Sequence, residues 1–553
     1  MHLKEHSTWS KLSLAAAIAG ALAVGGCKVT IKADDEEVSE IVDSITDSVV
    51  CKNDAGEKVD CGSNDSGTSA VLTASGFEIP DDAILVAPNA ADGDDITDAI
   101  NLALFEVPAG STIVLPKGNF KVSNSIIVYN ANDITLTGYG MDATVLDFNG
   151  SSGDDGFRFE GGSGLMVRDF GVYDTNKNGI KTVGANGVYF SHVAAVWTVG
   201  RLSEESPKRL LADSPGAYGL YPVNSKNIVI EDTFSYGSRD AGIYVGQSED
   251  VVVRNNIVEY NVAGIEIENT ENADVYNNEV YDNTAGILAF DFAGLEKKFG
   301  GNIRFFNNNV IANNEPNVGD GAVSIAPGGT GILVFSVSNV EIYENNIKSN
   351  RTDAVSVASY FMNESDFAWY AANADSIAAG WSPVTRNINI HNNTFSQNST
   401  DPGGKLLIES GVIGGYEAYY GAGNFPDVLY GGIGELLANA GELAPLGILP
   451  YAADGSDNVC ESNNYDAQQG LADEASVGLV YGTNPMDPNN WVWAGDIGAS
   501  DILGPQPTLS RELMSANQNL NCSLPRLAGS SVIFRGEEFG CNSDDLDERA
   551  CSL

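Results

Sequence analysis

Residues 241–262 read AGIYVGQSEDVVVRNNIVEYNV and residues 263–284 read AGIEIENTENADVYNNEVYDNT. The two stretches align over 22 residues and carry the pairs Asn255-Asn256 and Asn277-Asn278 at one place. Further pairs, Asn307-Asn308, Asn345-Asn346 and Asn392-Asn393, follow similar β-rich runs. A period near 22 is too short for helical-hairpin repeats and matches one coil of a β-solenoid. A single coil buries little surface, so stacking must supply the core. Asparagines at one level of successive coils can join their amides up and down the stack, adding to the backbone ladder.

Outward from this pair, a glycine opens one strand of each coil: Gly156, Gly179, Gly219, Gly242, Gly264, Gly286 and Gly331, in steps of 23, 40, 23, 22, 22 and 45. The long steps hold insertions, which a solenoid carries as loops on one face. One runs from Arg201 to Gly216, and another spans about Tyr360 to Trp381. The residue after each glycine is apolar: Phe157, Ile180, Leu220, Ile243, Ile265, Ile287. Side chains alternate along a strand, so these point inward and the next residue points to solvent. The expected outer stripe is therefore Arg158, Lys181, Tyr221, Tyr244, Glu266 and Leu288, one residue per coil at about 4.8 Å spacing.

Ahead of the coils, DITDAINLALFEV from Asp95 has helical spacing, with Asp95 or Thr97 as its cap, and can cover the apolar end of the first coil. This helix, then GSTIVLPKGNF, then asparagine-rich coils resembles the right-handed parallel β-helix proteins of the pectate-lyase-like superfamily. The coils are also similar to the NosD-like repeats. The resemblance covers roughly residues 80 to 410 and implies right-handed winding. It implies no single activity, because that superfamily includes lyases, hydrolases, epimerases and non-enzymes.

The chemistry is sought on the outer stripe. Arg201, Lys208 and Arg209 in the first insertion add to Arg158 and Lys181, so cations gather at one place in a strongly acidic chain. Such a cluster binds carboxylate-bearing sugars through charge-assisted bonds. Removing the proton beside a uronate carboxylate needs a cation, a base and a proton donor. Lys181, Tyr221 and Tyr244 are the candidates for those catalytic parts. Arg158, Glu266, Lys208 and Arg209 are candidates for substrate binding, with the ordinary alternative a solvated ladder of long side chains. Arg239, Asp240 and Gln247 lie where the cleft wall should be, although corner Arg–Asp pairs are commonly structural. His192 aligns with Asp232 and the first asparagine of the pairs, as a corner residue and reserve base. Trp369 leads an aromatic insertion (Tyr360, Phe361, Phe367, Tyr370, Trp381) that serves either as a sugar platform or as helix packing.

No metal site is assigned. Acidic pairs such as Asp154-Asp155 leave calcium as the one cofactor to consider, and the scattered methionines offer little to copper. The net charge of -46 argues against nucleic acid or an anionic membrane surface as a partner.

Lys4 and Lys11 precede an apolar run from Leu12 to Val24, ending Val24-Gly25-Gly26-Cys27. This resembles a bacterial lipoprotein signal with Cys27 lipidated, and Lys28 after it resembles the outer-membrane form. The remaining six cysteines suit disulfides in an oxidising compartment better than zinc, since no CxxC pair exists. Short loops favour Cys51–Cys61 and Cys541–Cys551, leaving Cys460–Cys522, one of 15 possible connectivities.

The expected organisation is a signal (1–27), an acidic tether (28–78), a parallel β-helix with a helical N-terminal cap (79–411) and a disulfide-bearing C-terminal cap region (412–553). The expected protein is a monomeric outer-membrane lipoprotein on the periplasmic or cell-surface face. It binds an anionic polysaccharide and processes it as a lyase or epimerase would; the alternative is a non-catalytic adhesion or scaffold solenoid.

Overall fold

The computed structural model describes residues 71–198, 216–360, 363–364, 367–404, 425–430, 458–466 and 522–540, with residues 407 and 413 and short strands at 51–52, 58–59, 471–472 and 477–479. Cys51–Lys52 and Lys58–Val59 pair antiparallel within a separate N-terminal unit, residues 1–70. The signal and most of the tether lie outside the described residues. So do Arg201, Lys208, Arg209, Phe361, Cys27, Cys61, Cys541 and Cys551, and with them the expected pairs Cys51–Cys61 and Cys541–Cys551.

From Val71 on, the chain winds through parallel ladders. The sheet that carries the outer stripe has eleven described strands: β1 (Ile126–Tyr129), β2 (Asp155–Glu160), β3 (Asn178–Val183), β4 (Leu220–Val223), β5 (Ala241–Gly246), β6 (Ala263–Glu268), β7 (Ala285–Phe290), β8 (Thr330–Phe335), β9 (Asp353–Ala358), β10 (Val428–Tyr430) and β11 (Val477–Leu479). The other walls form one sheet of 22 described strands. The ladders run past residue 411, through β10, β11 and Val459–Ser462.

The alternation read from the sequence sets the core. Phe157, Ile180, Leu220, Ile243, Ile265 and Ile287 pair in register and are fully buried in one column. The glycines before them are required by the stacking itself. A Cβ on Gly219 would sit 2.3 Å from the carbonyl oxygen of Gly242, and one on Gly264 would sit 2.7 Å from that of Gly286. Helix α1 (Thr97–Leu104) buries Ile100 and Leu104 in the same core. Ile96, not Asp95 or Thr97, holds the N-cap position; Asp95, one residue earlier, accepts the backbone N–H of Thr97 at 2.9 Å and its hydroxyl at 2.6 Å.

Asparagine stacking is more extensive than the pairs suggested. Asn256, Asn278, Asn308, Asn345, Asn393 and Asn464 form one buried column, each after Asn256 accepting the backbone N–H and side-chain amide of the asparagine before it. A second column five residues on joins Asn261, Asn283, Asn313, Asn350 and Asn398. The pair Asn345-Asn346 is out of step with the others. Glu344 takes the left-handed corner that Asn255, Asn277 and Asn307 occupy elsewhere, and Asn345 joins the buried column. His192 holds that same left-handed corner, as its alignment with Asp232 indicated.

The tail from Cys522 to Gly540 does not plug the end of the solenoid. It runs back across the outer wall, meeting in turn Asn389, Glu341, Asp274, Asn227 and Gly164. The Cys460–Cys522 disulfide ties its start to the last described coils.

Candidate functional site

The outer stripe exists, but only half of it faces solvent. Arg158 pairs with Lys181 in register, Lys181 with Tyr221, Tyr244 with Glu266, and Glu266 with Leu288. Arg158, Lys181 and Tyr221 are half-buried. Tyr244, expected in water, is 4% exposed, Glu266 is 1% exposed, and Leu288 is fully buried. The cause lies in the insertions. Val323 and Ala326 from the segment before β8, with Tyr360, Tyr370 and Trp381, pack over Tyr244, Leu288, Phe290 and Leu333 to make a second apolar layer outside the sheet.

At the edge of this cover three carboxyls meet three tyrosines. Tyr218, half-buried and just before β4, hydrogen-bonds Asp240. The rings of Tyr218, Tyr221 and Tyr244 lie 4.5, 4.6 and 4.8 Å apart. The Tyr244 hydroxyl donates to Glu268 Oε1 at 2.6 Å. Gly246 makes that reach possible, because a Cβ there would lie 2.3 Å from the Tyr244 hydroxyl. Glu266, on the same strand as Glu268, has its Oε2 buried without a hydrogen-bond partner among the described residues.

Burial dominates the electrostatics. It pushes Asp240 up to about 7, helped by Glu268 and Asp320 and opposed by the Tyr218 hydrogen bond and Arg239. Glu268 is likewise pushed up to about 7, and burial raises Glu266 well above the usual carboxylate range, with Asp240 and Glu268 adding to it. The Tyr221 phenol is raised to about 12 by burial and the nearby acids. Burial also holds the Lys181 ammonium below its usual value, and its Nζ lies 4.5 Å over the Tyr221 ring. These carboxyls can hold a proton near neutral pH, which is what a general acid requires.

Each of the other sequence candidates has at least one partner. Arg158 bonds Glu160, so the stripe is less cationic than its composition suggested. Arg239 bonds Asp320 at 2.7 Å and also reaches the Val318 carbonyl, holding the covering insertion. Gln247 accepts the N–H groups of Glu296 and Lys297 and lines a shallow pocket with Glu249, Glu271 and Lys297, away from the stripe. Trp369, on α2 (Phe367–Ala372), stacks on Tyr360 at 5.1 Å and packs near Trp381, so the aromatic insertion is a packed wall. Asp155 accepts a hydrogen bond from Asn178. His391 lies on the opposite wall, bonded to Glu341.

Tyr218 and Glu268 were not singled out in the sequence. Glu268 had a signal: it stands two residues beyond Glu266 on the same strand, so alternation puts both on one face. Tyr218 precedes its strand, and no period marks it.

The sequence profile described as "Right handed beta helix region" matches residues 155–325 and 209–366. Residues 155–366 therefore form a right-handed β-helix region, in keeping with the parallel ladders. No curated protein matches it in sequence. Among solved structures, this β-helix resembles the A-module of the mannuronan C-5 epimerase AlgE4 of Azotobacter vinelandii, with 18% identity, a TM-score of 0.37, and coverage of 57% of this chain and 87% of that one. It also resembles a family 28 exopolygalacturonase of Yersinia enterocolitica (11%, 0.35, 58% and 67%). A third is the catalytic unit of a GH87 alpha-1,3-glucanase of Streptomyces thermodiastaticus (14%, 0.37, 66% and 52%).

Proposed function

We propose that the β2–β6 face is the reacting surface of a polysaccharide-modifying enzyme that works by carboxyl acid–base chemistry. The observation that carries this reading is the gathering of Asp240, Glu266 and Glu268 beneath tyrosines, where burial pushes Asp240 and Glu268 up to about 7. A carboxyl of that kind can give a proton to a departing glycosidic oxygen and take one from water. Tyr218 and Tyr221 offer ring surface for a sugar, and Tyr218 holds Asp240 in place. Tyr244 and Glu268 sit deeper, hydrogen-bonded to each other.

A second reading rests on Lys181. Its depressed pKa suits a base that removes the proton next to a uronate carboxylate, with Arg158 binding that carboxylate. The product would then be that of a lyase or epimerase on an anionic polysaccharide. For location we propose export as an outer-membrane lipoprotein anchored through Cys27, supported by the apolar run and the Gly25-Gly26-Cys27-Lys28 ending.

The test is product analysis on a panel of neutral and uronate polysaccharides. New reducing ends without unsaturation, lost in Asp240→Asn, support the carboxyl reading. Unsaturated ends or inverted C5 centres, lost in Lys181→Gln, support the second. Absence of both products and of binding would leave the non-catalytic adhesion or scaffold solenoid.

A further inference from the structure

The face has a cation end and an acid end, and each holds an unsatisfied polar atom. On β2, Arg158 bonds Glu160 through Nη2, while its Nε is buried without an acceptor among the described residues. Lys181 follows on β3 in direct register. On β6, Glu266 keeps a buried Oε2 without a donor among the described residues, beside Asp240 and Glu268. From Lys181 on β3 to β5, which Asp240 immediately precedes, is two rungs of about 4.8 Å each, or about 10 Å, the reach of a short oligosaccharide.

We propose that this face takes a polymer of mixed charge, with a carboxylate-bearing sugar over Arg158 and Lys181 and an uncharged, hydroxyl-bearing sugar over Asp240. This rests on the polysaccharide reading above. A sugar carboxylate satisfies a guanidinium N–H well. The same carboxylate over the acid end meets three like charges, or their protons, in a partly water-excluded layer where repulsion is strong. A hydroxyl can instead donate to Asp240. Homopolymeric uronates are therefore disfavoured at one end, and wholly neutral polymers forgo the other.

Calorimetry on the full chain tests this with three probes: an oligogalacturonate, an unsubstituted xylo-oligosaccharide, and a xylo-oligosaccharide carrying one glucuronate. The last should bind about tenfold more tightly than either of the others. Arg158→Gln should erase its advantage over the neutral probe, with Lys181→Gln as the second cation variant should the first lower the unfolding temperature. The double variant Asp240→Asn/Glu266→Gln should raise affinity for the oligogalacturonate. Equal binding of all three probes, or tightest binding of the oligogalacturonate, overturns the mixed-charge inference while the polysaccharide reading stands. No binding of any probe counts against both.

Discussion

Glu266 is the residue on which the site turns. The charges acting on it are the carboxyls of Asp240 and Glu268, and both make its ionisation harder. Native pKa values above the unfolded ones mean that ionisation opposes folding. Stability from these groups is full below about 4 and falls as pH rises through the native values of about 7. Thermal unfolding should therefore move to lower temperature between about pH 4 and pH 7. Glu266→Gln, which keeps the shape and removes the charge, should flatten that slope; an unchanged slope would show that the trio does not titrate as described. Gly246→Ala should push the Tyr244 ring off Glu268 and cost about 1–3 kcal/mol, read by denaturant unfolding. At this scale the sequence was half legible. The stripe from Arg158 to Glu266 was readable by counting from each glycine. Its burial was not, because the residues that cover Tyr244 and Glu266 come from insertions outside the repeat.

Among elements, the asparagine columns stand out as buried polar networks with every rung engaged. Asn278 donates to the carbonyl of Val253 and to Asn308, and accepts from the backbone and side chain of Asn256. Asn278→Ala strips partners from several buried groups and should cost about 2–4 kcal/mol, measured by denaturant unfolding, well above the effect of an exposed substitution. The pairs in the sequence announced one column. The second, at Asn261, Asn283, Asn313, Asn350 and Asn398, was equally present as a five-residue offset. The pair Asn345-Asn346 misled, because Glu344 can occupy a left-handed corner that asparagine prefers.

On the scale of the whole molecule, repetition made the winding legible and its interruptions obscured the rest. The tail from Cys522 to Gly540 illustrates this. It has no period, yet it crosses the wall and hands donors to two buried acids, Ser530 N–H to Asp274 and Leu527 N–H to Glu341. Phe534 and Phe539 pack against Tyr189 further along. Cys522→Ser should loosen this strap. Closing a loop across 62 residues of separation is worth about 4 kcal/mol in the chain-entropy picture. Limited proteolysis should then cut within residues 522–540 sooner than in the parent, with β2–β9 left intact. Equal cutting rates would mean that the contacts with Asp274 and Glu341 hold the strap unaided.

The most direct measurement is a carboxyl titration of the full chain by infrared spectroscopy, comparing the parent with Glu266→Gln and Asp240→Asn. Carboxyls that keep their protons near neutral pH, and that disappear from the spectrum in the two variants, are the predicted result. Titration of every carboxyl below about 5, with no difference between parent and variants, would contradict an acid–base site on this face.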